Sequence, residues 1–394
     1  MNRKDTREEI LKLTNKAILL ELPTGFGKTL IGMDLCLRDN PHSILIVVPR
    51  VVLIQNWKDE FIKWGNKESL DRVTFSTYAG LHKIPNIQEH FDCVILDEAH
   101  HITPRIQELL TYITYNKIIM LSATVKNNLK HDLANIFSDL YCYKVNMKEA
   151  IENEVLPDPI VYLLPLKLDN KYNSEKIIKH SNGKTSVTCC YKDRWNYLRN
   201  KNIKLTIECT QLQKSMDLDN EIGFWKNKYM RTRNEMFKNR WLHLAGQRLK
   251  WLSDLKNPTI SSLLNLFRNE RVLTFCNSID QTTELGKNCI NSKNKDAIKV
   301  LESFNKGEIK HITACNMLNE GMNLSNCRIG IYANLNSSDI IIKQRLGRIL
   351  RHDNPVIVIP FYKGTREEEL INKMLEDYNP QLIHTVNNIT EIKI

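Results

Sequence analysis

Apolar residues in this chain gather into short unbroken runs separated by polar, helix-length stretches. In the first third the runs fall at 17–20, 43–48, 73–78, 91–96 and 118–121, and in the last third at 271–276, 310–314, 329–333 and 355–360. Most are apolar throughout rather than alternating, which predicts strands covered on both faces, as in a parallel sheet. The stretches between them predict helices at 30–38, 51–63, 260–268, 278–287, 339–350 and 365–378, with a short polar helix within 1–16. Polar residues collect where the strands end: Pro49-Arg50, Asp97-Glu98-Ala99-His100 and Ser122-Ala123-Thr124. Alternating strands and helices with chemistry at the strand tips describe doubly wound α/β domains.

Residues 151–258 break this rhythm. An apolar run at 160–166 reads as a strand leaving the first domain, and 186–190 and 203–209 are short strand candidates. A long basic helix is expected from about 221 to 256, broken near Gly246, with Trp225, Tyr229, Trp241, Leu244, Leu252 and Leu255 on helical faces. The chain thus divides into an α/β domain at 1–155, an inserted α/β or helical segment at 156–258 and a second α/β domain at 259–394. A length of 394 residues suits two or three domains.

Charge changes this picture in one place. The net charge is +11, and residues 161–258 hold 20 Lys/Arg against 9 Asp/Glu, leaving 36 of each sign elsewhere. Four of the six tryptophans lie in the same segment. A basic, aromatic-rich segment on a neutral body points to a polyanion partner, the plain alternative being a solvated basic face. Lys226, Arg231 and Arg233 are the foremost candidates for phosphate contacts. The aromatics could equally be core against the second α/β domain. No run approaches the length of a membrane span, and the charged residues 1–5 do not resemble a signal peptide. The ten cysteines include no Cys-x-x-Cys pair and often sit in apolar runs. They read as reduced thiols of a cytoplasmic protein, and adjacent Cys189-Cys190 argues against a structural zinc site.

The most informative stretch is Glu21-Leu22-Pro23-Thr24-Gly25-Phe26-Gly27-Lys28-Thr29, between the first strand and a helix. A glycine loop there turns backbone N–H groups toward one point at the positive end of a helix dipole. A polyphosphate fits that point, with Lys28 on the outer phosphates and Thr29 on a magnesium ion. The strict pattern has a glycine where this chain has Leu22, so a chance turn is the bland alternative. Asp97-Glu98 follows at the tip of an apolar strand. Asp97 is placed to hold magnesium through water, and Glu98 to orient and deprotonate an attacking water. Ser122 and Thr124 can relay hydrogen bonds from those carboxylates. Near the C-terminus, Arg345, Arg348 and Arg351 recur every three residues on an expected helix, with Gln344 and Gly347 among them. Such arginines suit a transferring phosphoryl group, and a nucleic-acid-facing basic helix is the alternative.

In order and spacing these stretches resemble the motifs of superfamily 2 helicases and translocases. Pro23–Thr29 resembles motif I, Val48-Pro49-Arg50 through Trp57 motif Ia, and Ser76-Thr77-Tyr78 motif Ib. Asp97-Glu98-Ala99-His100 is a DEAH box, motif II. Ser122–Thr124 resembles motif III, Phe275-Cys276-Asn277 motif IV, Thr313 through Leu324 motif V and Gln344–Arg351 motif VI. The doubled His100-His101 and Asn319-Glu320-Gly321 are closest to restriction-enzyme motors and phage repair helicases of the UvsW type. The resemblance implies two RecA-like domains with ATP and Mg2+ between them. Pro23, Thr24, Gly25, Phe26, Gly27, Lys28 and Thr29 would bind the nucleotide from the first domain, and Gly321 and Asn323 from the second. Lys28, Asp97, Glu98, Gln344, Arg348 and Arg351 would serve hydrolysis, with His100, Ser122 and Thr124 coupling it to movement. Nucleic acid would meet Pro49, Arg50, Thr77, Tyr78, Asn277, Thr313 and Asn316, mostly through phosphates. Two departures stand out. Arg7 and Glu8 lie where an adenine-reading glutamine is expected, and Asn323 replaces a frequent aspartate.

The expected function is a nucleic-acid-dependent ATPase acting as a monomer on single-stranded or branched DNA, in a bacterial or phage-infected cell. RNA unwinding, service as the motor subunit of a restriction system, and an ATP-latched clamp remain as alternatives.

Overall fold

The computed structural model describes residues 3–84, 90–179, 185–188, 195–198, 204–315, 324, 327–335, 349 and 352–394. Six strands form the first sheet: β1 (Ala17–Glu21), β2 (Ile44–Val48), β3 (Val73–Thr77), β4 (His90–Asp97), β5 (Thr114–Ser122) and β6 (Leu140–Lys144). Their order is β3-β2-β4-β5-β1-β6, and every pairing is parallel. All five residues of β1 and of β2 are buried, which is why these runs carry no polar alternation. Helix α2 (Lys28–Leu37) packs against β4 and β5 of this sheet and against α1 (Arg3–Leu11) and α3 (Val52–Lys63).

The next strand, β7 (Ile160–Leu166), does not belong to the inserted segment, where it was expected. It pairs in parallel along its whole length with a strand near the other end of the chain, from Ile160↔Val356 to Leu166↔Tyr362. An apolar run of seven residues needs cover on both edges as well as both faces, and the second sheet supplies it. After β7 come β8 (Tyr172–Lys179), β9 (Thr185–Thr188), β10 (Trp195–Leu198) and β11 (Lys204–Thr210), which form antiparallel ladders β8–β11 and β9–β10. The second sheet continues with β12 (Val272–Phe275), β13 (Cys289–Ile290), β14 (His311–Ala314), β15 (Ile329–Tyr332), β16 (Val356–Tyr362) and β17 (Ile383–Thr385). Its order is β13-β14-β12-β15-β16-β7-β17, again wholly parallel.

The long basic helix is two helices, Gln211–Thr232 and Glu235–Asp254, and the break lies at Arg233-Asn234 rather than at Gly246. Arg233 takes a left-handed backbone (φ 54°) and the Asn234 side chain accepts from the Met236 amide, which starts the second helix. Gly246 lies within that helix, where a glycine costs only about 1 kcal/mol. The two helices run antiparallel. Arg240 pairs with Glu221 at 2.9 Å and Arg248 with Asp219. Between the helices Trp225 meets Phe237 (ring centroids 5.6 Å) and Tyr229 meets Trp241 (6.1 Å). The aromatics are therefore largely the hairpin's own core, with cations over their outer faces. Lys226 sits 5.8 Å from Trp241 and Lys228 4.3 Å from Phe237.

The hairpin is rooted in the second sheet by a buried polar network. Lys256, fully buried, pairs with buried Glu367 and donates to the Ala333 carbonyl at 3.1 Å. Ser253, Gln281 and Asn257 bond among themselves at 2.8 Å, and the Tyr362 hydroxyl donates to the Leu255 carbonyl. Burial pushes the Lys256 ammonium below its ordinary value, and Glu367 opposes the shift. Removing one partner strands the other charge without water. Lys256→Met is therefore expected to cost about 3–5 kcal/mol in denaturant unfolding of the second domain; a loss under about 1 kcal/mol would show that the pair does not anchor the hairpin.

Candidate functional site

The order β4-β5-β1 decides what can meet. Glu21 is level with Ser122, and Asp97 with Leu121, so three neighbouring strands end together. The loop after β1, the acidic pair after β4 and the Ser-Ala-Thr after β5 therefore share one rim. The Leu22 amide donates to the Ser122 carbonyl at 3.0 Å, which ties the start of the loop to the β5 tip.

Within the loop Gly25 (φ 92°) and Gly27 (φ 98°) adopt left-handed backbone that a side chain would strain, and Gly27 caps α2. Lys28 folds back so that Nζ donates to the Leu22 carbonyl at 3.3 Å. Thr24, Gly25, Phe26, Gly27, Lys28 and Thr29 line a cavity of about 470 Å3 together with Asp97, Glu98, Arg7, Glu60, Lys63 and Trp64. The expected phosphate-binding residues thus gather with the acidic pair. Two adjustments follow. The Phe26 side chain is fully buried among the core residues, so its contribution is to packing and through its backbone. Pro23 is buried behind the loop, and its carbonyl accepts from the Phe26 amide.

Asp97 is positioned by contacts the sequence did not announce. Buried Trp57 on α3 donates its indole N–H to Oδ2 at 2.9 Å, and the Glu98 amide donates to Oδ1 at 2.9 Å. Burial raises the Asp97 carboxyl to about 6, helped by the Glu98 charge and opposed by the Trp57 hydrogen bond and Lys28. Glu98 stands in left-handed backbone at φ 50°, a strained conformation of the kind found at functional sites. Two buried hydroxyls at this rim, Thr24 Oγ1 and Thr124 Oγ1, have no protein partner among the described residues. Hard oxygen donors beside a crowded, raised carboxylate fit a polyphosphate with Mg2+. Thr29 and Asp97 would hold the ion, with phosphate and water oxygens completing its shell.

The three residues expected to couple chemistry to movement are in one chain of contacts. His100 Nδ1 lies 3.4 Å from Glu98 Oε2 and 3.1 Å from Ser122 Oγ, and Ser122 donates to the Thr124 carbonyl at 3.1 Å.

The nucleic-acid candidates divide. Arg50, Lys226, Arg231 and Arg233 are exposed, and Pro49, Thr77 and Asn277 are half-buried. Two others are corrected. Tyr78 is 6% exposed and its hydroxyl donates to the Asp97 carbonyl at 2.8 Å, so it buttresses the acidic strand. Thr313 is 3% exposed and donates to the Thr282 carbonyl at 3.0 Å. Both sit at strand ends, where burial depends on helices the local sequence does not reveal. Asn316, Gly321, Asn323, Gln344, Arg348 and Arg351, with all of the helix expected at 339–350 except Ile349, lie outside the described residues.

Known proteins match both halves. The family model described as "Type III restriction enzyme, res subunit" matches residues 4–127, and "Helicase conserved C-terminal domain" matches residues 256–353. The chain is 22% identical over 396 residues to the DNA 3'-5' translocase XPB2 of Sulfurisphaera tokodaii, covering 95% of this chain and 84% of that one. Among solved structures, the Pyrococcus furiosus Hef helicase domain aligns over 94% of this chain and 97% of its own, with TM-score 0.51 and 14% identity. The S. cerevisiae Dbp5 structure aligns over 97% and 89%, with TM-score 0.58 and 11% identity. These likenesses, with the two parallel sheets, establish a pair of RecA-like domains.

Trp57→Phe tests the positioning of Asp97, since it removes the indole donor and keeps an aromatic ring. Groups that orient a metal-holding carboxylate are commonly worth about 10–100-fold in metal affinity or activity. Titration of Mg2+ against nucleotide turnover should show a loss of that size with the fold retained; an unchanged Mg2+ dependence would leave Trp57 a packing residue only.

Proposed function

We propose, for a chain that its paired family matches indicate is a superfamily 2 helicase, an ATP hydrolase that converts turnover into movement along DNA. The observation that carries this is the single rim holding the phosphate loop, the Asp97-Glu98 pair and the His100–Ser122–Thr124 contacts. Lys28 and the loop amides would bind the outer phosphates, and Thr29 and Asp97 the magnesium ion. Bound Mg2+ would neutralise charge on the phosphate oxygens. Glu98 would orient the attacking water and take its proton. Gln344, Arg348 and Arg351, with Gly321 and Asn323, would complete the site from the second domain. His100 touches both Glu98 and Ser122, so a change at the carboxylate has a short path to the β5 tip.

DNA is favoured over RNA because the translocase XPB2 matches across nearly the whole chain, and we expect its 3′–5′ direction here too. The same match favours a DNA translocase of that branch over the UvsW-type branch. A restriction-motor role is the second reading, supported by the family match over residues 4–127. Arg50 and the exposed cations of the hairpin, Lys226, Arg231 and Arg233, would grip phosphates with little sequence preference.

Lys28→Ala should lower DNA-stimulated ATP turnover by about a hundredfold or more, and Glu98→Gln should hold the protein on both ATP and DNA. Turnover surviving the lysine change would remove the site assignment. Replacing Lys226, Arg231 and Arg233 together by Gln should flatten the dependence of log binding constant on log salt by about 2 to 3. An unchanged slope would take the hairpin out of the DNA interface.

A further inference from the structure

The cavity that holds the phosphate loop extends past what phosphates and a metal ion need. Its outer wall is made by Arg7 on α1 and by Glu60, Lys63 and Trp64 at the end of α3. None of these four has a part in hydrolysis. Trp64 lines the cavity and is 47% exposed; its indole N–H donates to Glu60 at 2.8 Å, and the Lys63 ammonium lies 5.1 Å from its ring centroid, so the ring is held in place. Glu60 is in turn paired with Lys63 at 3.3 Å.

Arg7 is held in one orientation. Its Nε donates to Asp34 Oδ2 at 2.7 Å and its Nη2 lies 2.6 Å from the same oxygen. That contact uses the side edge of the guanidinium. The end of the fork, Nη1 with the second hydrogen of Nη2, is turned away from Asp34, and among the described residues Nη1 has no protein acceptor. A guanidinium donates only and cannot accept. Its fork matches two acceptors side by side, which is how it pairs with guanine O6 and N7. Adenine offers N7 beside a donating amino group, so one arm of the fork would face a donor.

We propose that Arg7, oriented by Asp34, reads the base of the bound nucleotide by its O6/N7 acceptor edge, and that the site takes guanosine triphosphate at least as readily as adenosine triphosphate. Trp64 supplies a stacking face that is indifferent to the choice of purine. The inference rests on the nucleotide-site assignment above and goes beyond it by naming the base. The hydrolytic groups are unaffected by the base, so a motor of this kind can run on either triphosphate.

The test is equilibrium binding of mant-GTP and mant-ATP with Mg2+ to the full chain, in the wild type and in Arg7→Gln and Arg7→Lys. The wild type is expected to bind mant-GTP at least as tightly as mant-ATP. Arg7→Gln should weaken mant-GTP by about tenfold or more while changing mant-ATP by under about threefold. Arg7→Lys keeps the charge beside Asp34 but lacks the fork, so it should shift the ratio of mant-GTP to mant-ATP affinity toward mant-ATP with the fold undisturbed. A wild type preferring mant-ATP by more than tenfold, or an Arg7→Lys chain with an unchanged ratio, would overturn the proposal. Failure of the wild type to bind either nucleotide would instead overturn the underlying site assignment.

Discussion

Three parallel strands ending at one level are the constraint on which the rest depends. Because β5 lies between β4 and β1, the acidic pair and the glycine loop are held one strand apart, with Ser122 between them. Parallel strands need cover on both faces, so their buried stretches are mainly apolar and the candidate chemistry gathers at the tips. The strain at Glu98 and the crowding of Asp97 are tolerable because buried neighbours fix them: Trp57 and the Glu98 amide on the Asp97 carboxylate, and Tyr78 on its carbonyl.

The same logic of burial governs the second domain. A strand from the middle of the sequence, β7, is taken up between β16 and β17, so the chain enters the second sheet before the inserted segment begins. The segment then returns to that sheet through the helix ending at Asp254 and the buried Lys256–Glu367 pair. The hairpin is therefore attached to the second domain at both ends of its excursion, and its exposed cations would be carried wherever that domain goes.

Much of this was legible in the sequence, because unbroken apolar runs locate buried strands and the glycine loop and acidic pair have local signatures. The partner of a strand is not local information. The run at 160–166 announced a strand but not the edge it would join. The break of the hairpin had a weak signal in Asn234-Glu235, a helix-start pattern that the surrounding basic residues obscured. Trp57 gave no signal for its role, since Asp97 lies 40 positions away and only the fold brings them to 2.9 Å. Tyr78 and Thr313 misled for the converse reason: their motif positions suggested a surface, and packing removed them from it. Arg7 was visible as a departure from an expected glutamine, but its pairing with Asp34, and hence its orientation, came only from the packing of α1 on α2.

Displacement of a third strand from a DNA triplex reads ATP-driven movement along DNA without relying on hydrolysis alone. Given ATP and Mg2+, the protein is expected to strip the third strand at a rate that grows with protein concentration and vanishes in Glu98→Gln. Brisk DNA-stimulated hydrolysis with no displacement of the third strand, from either end of the duplex, would contradict it.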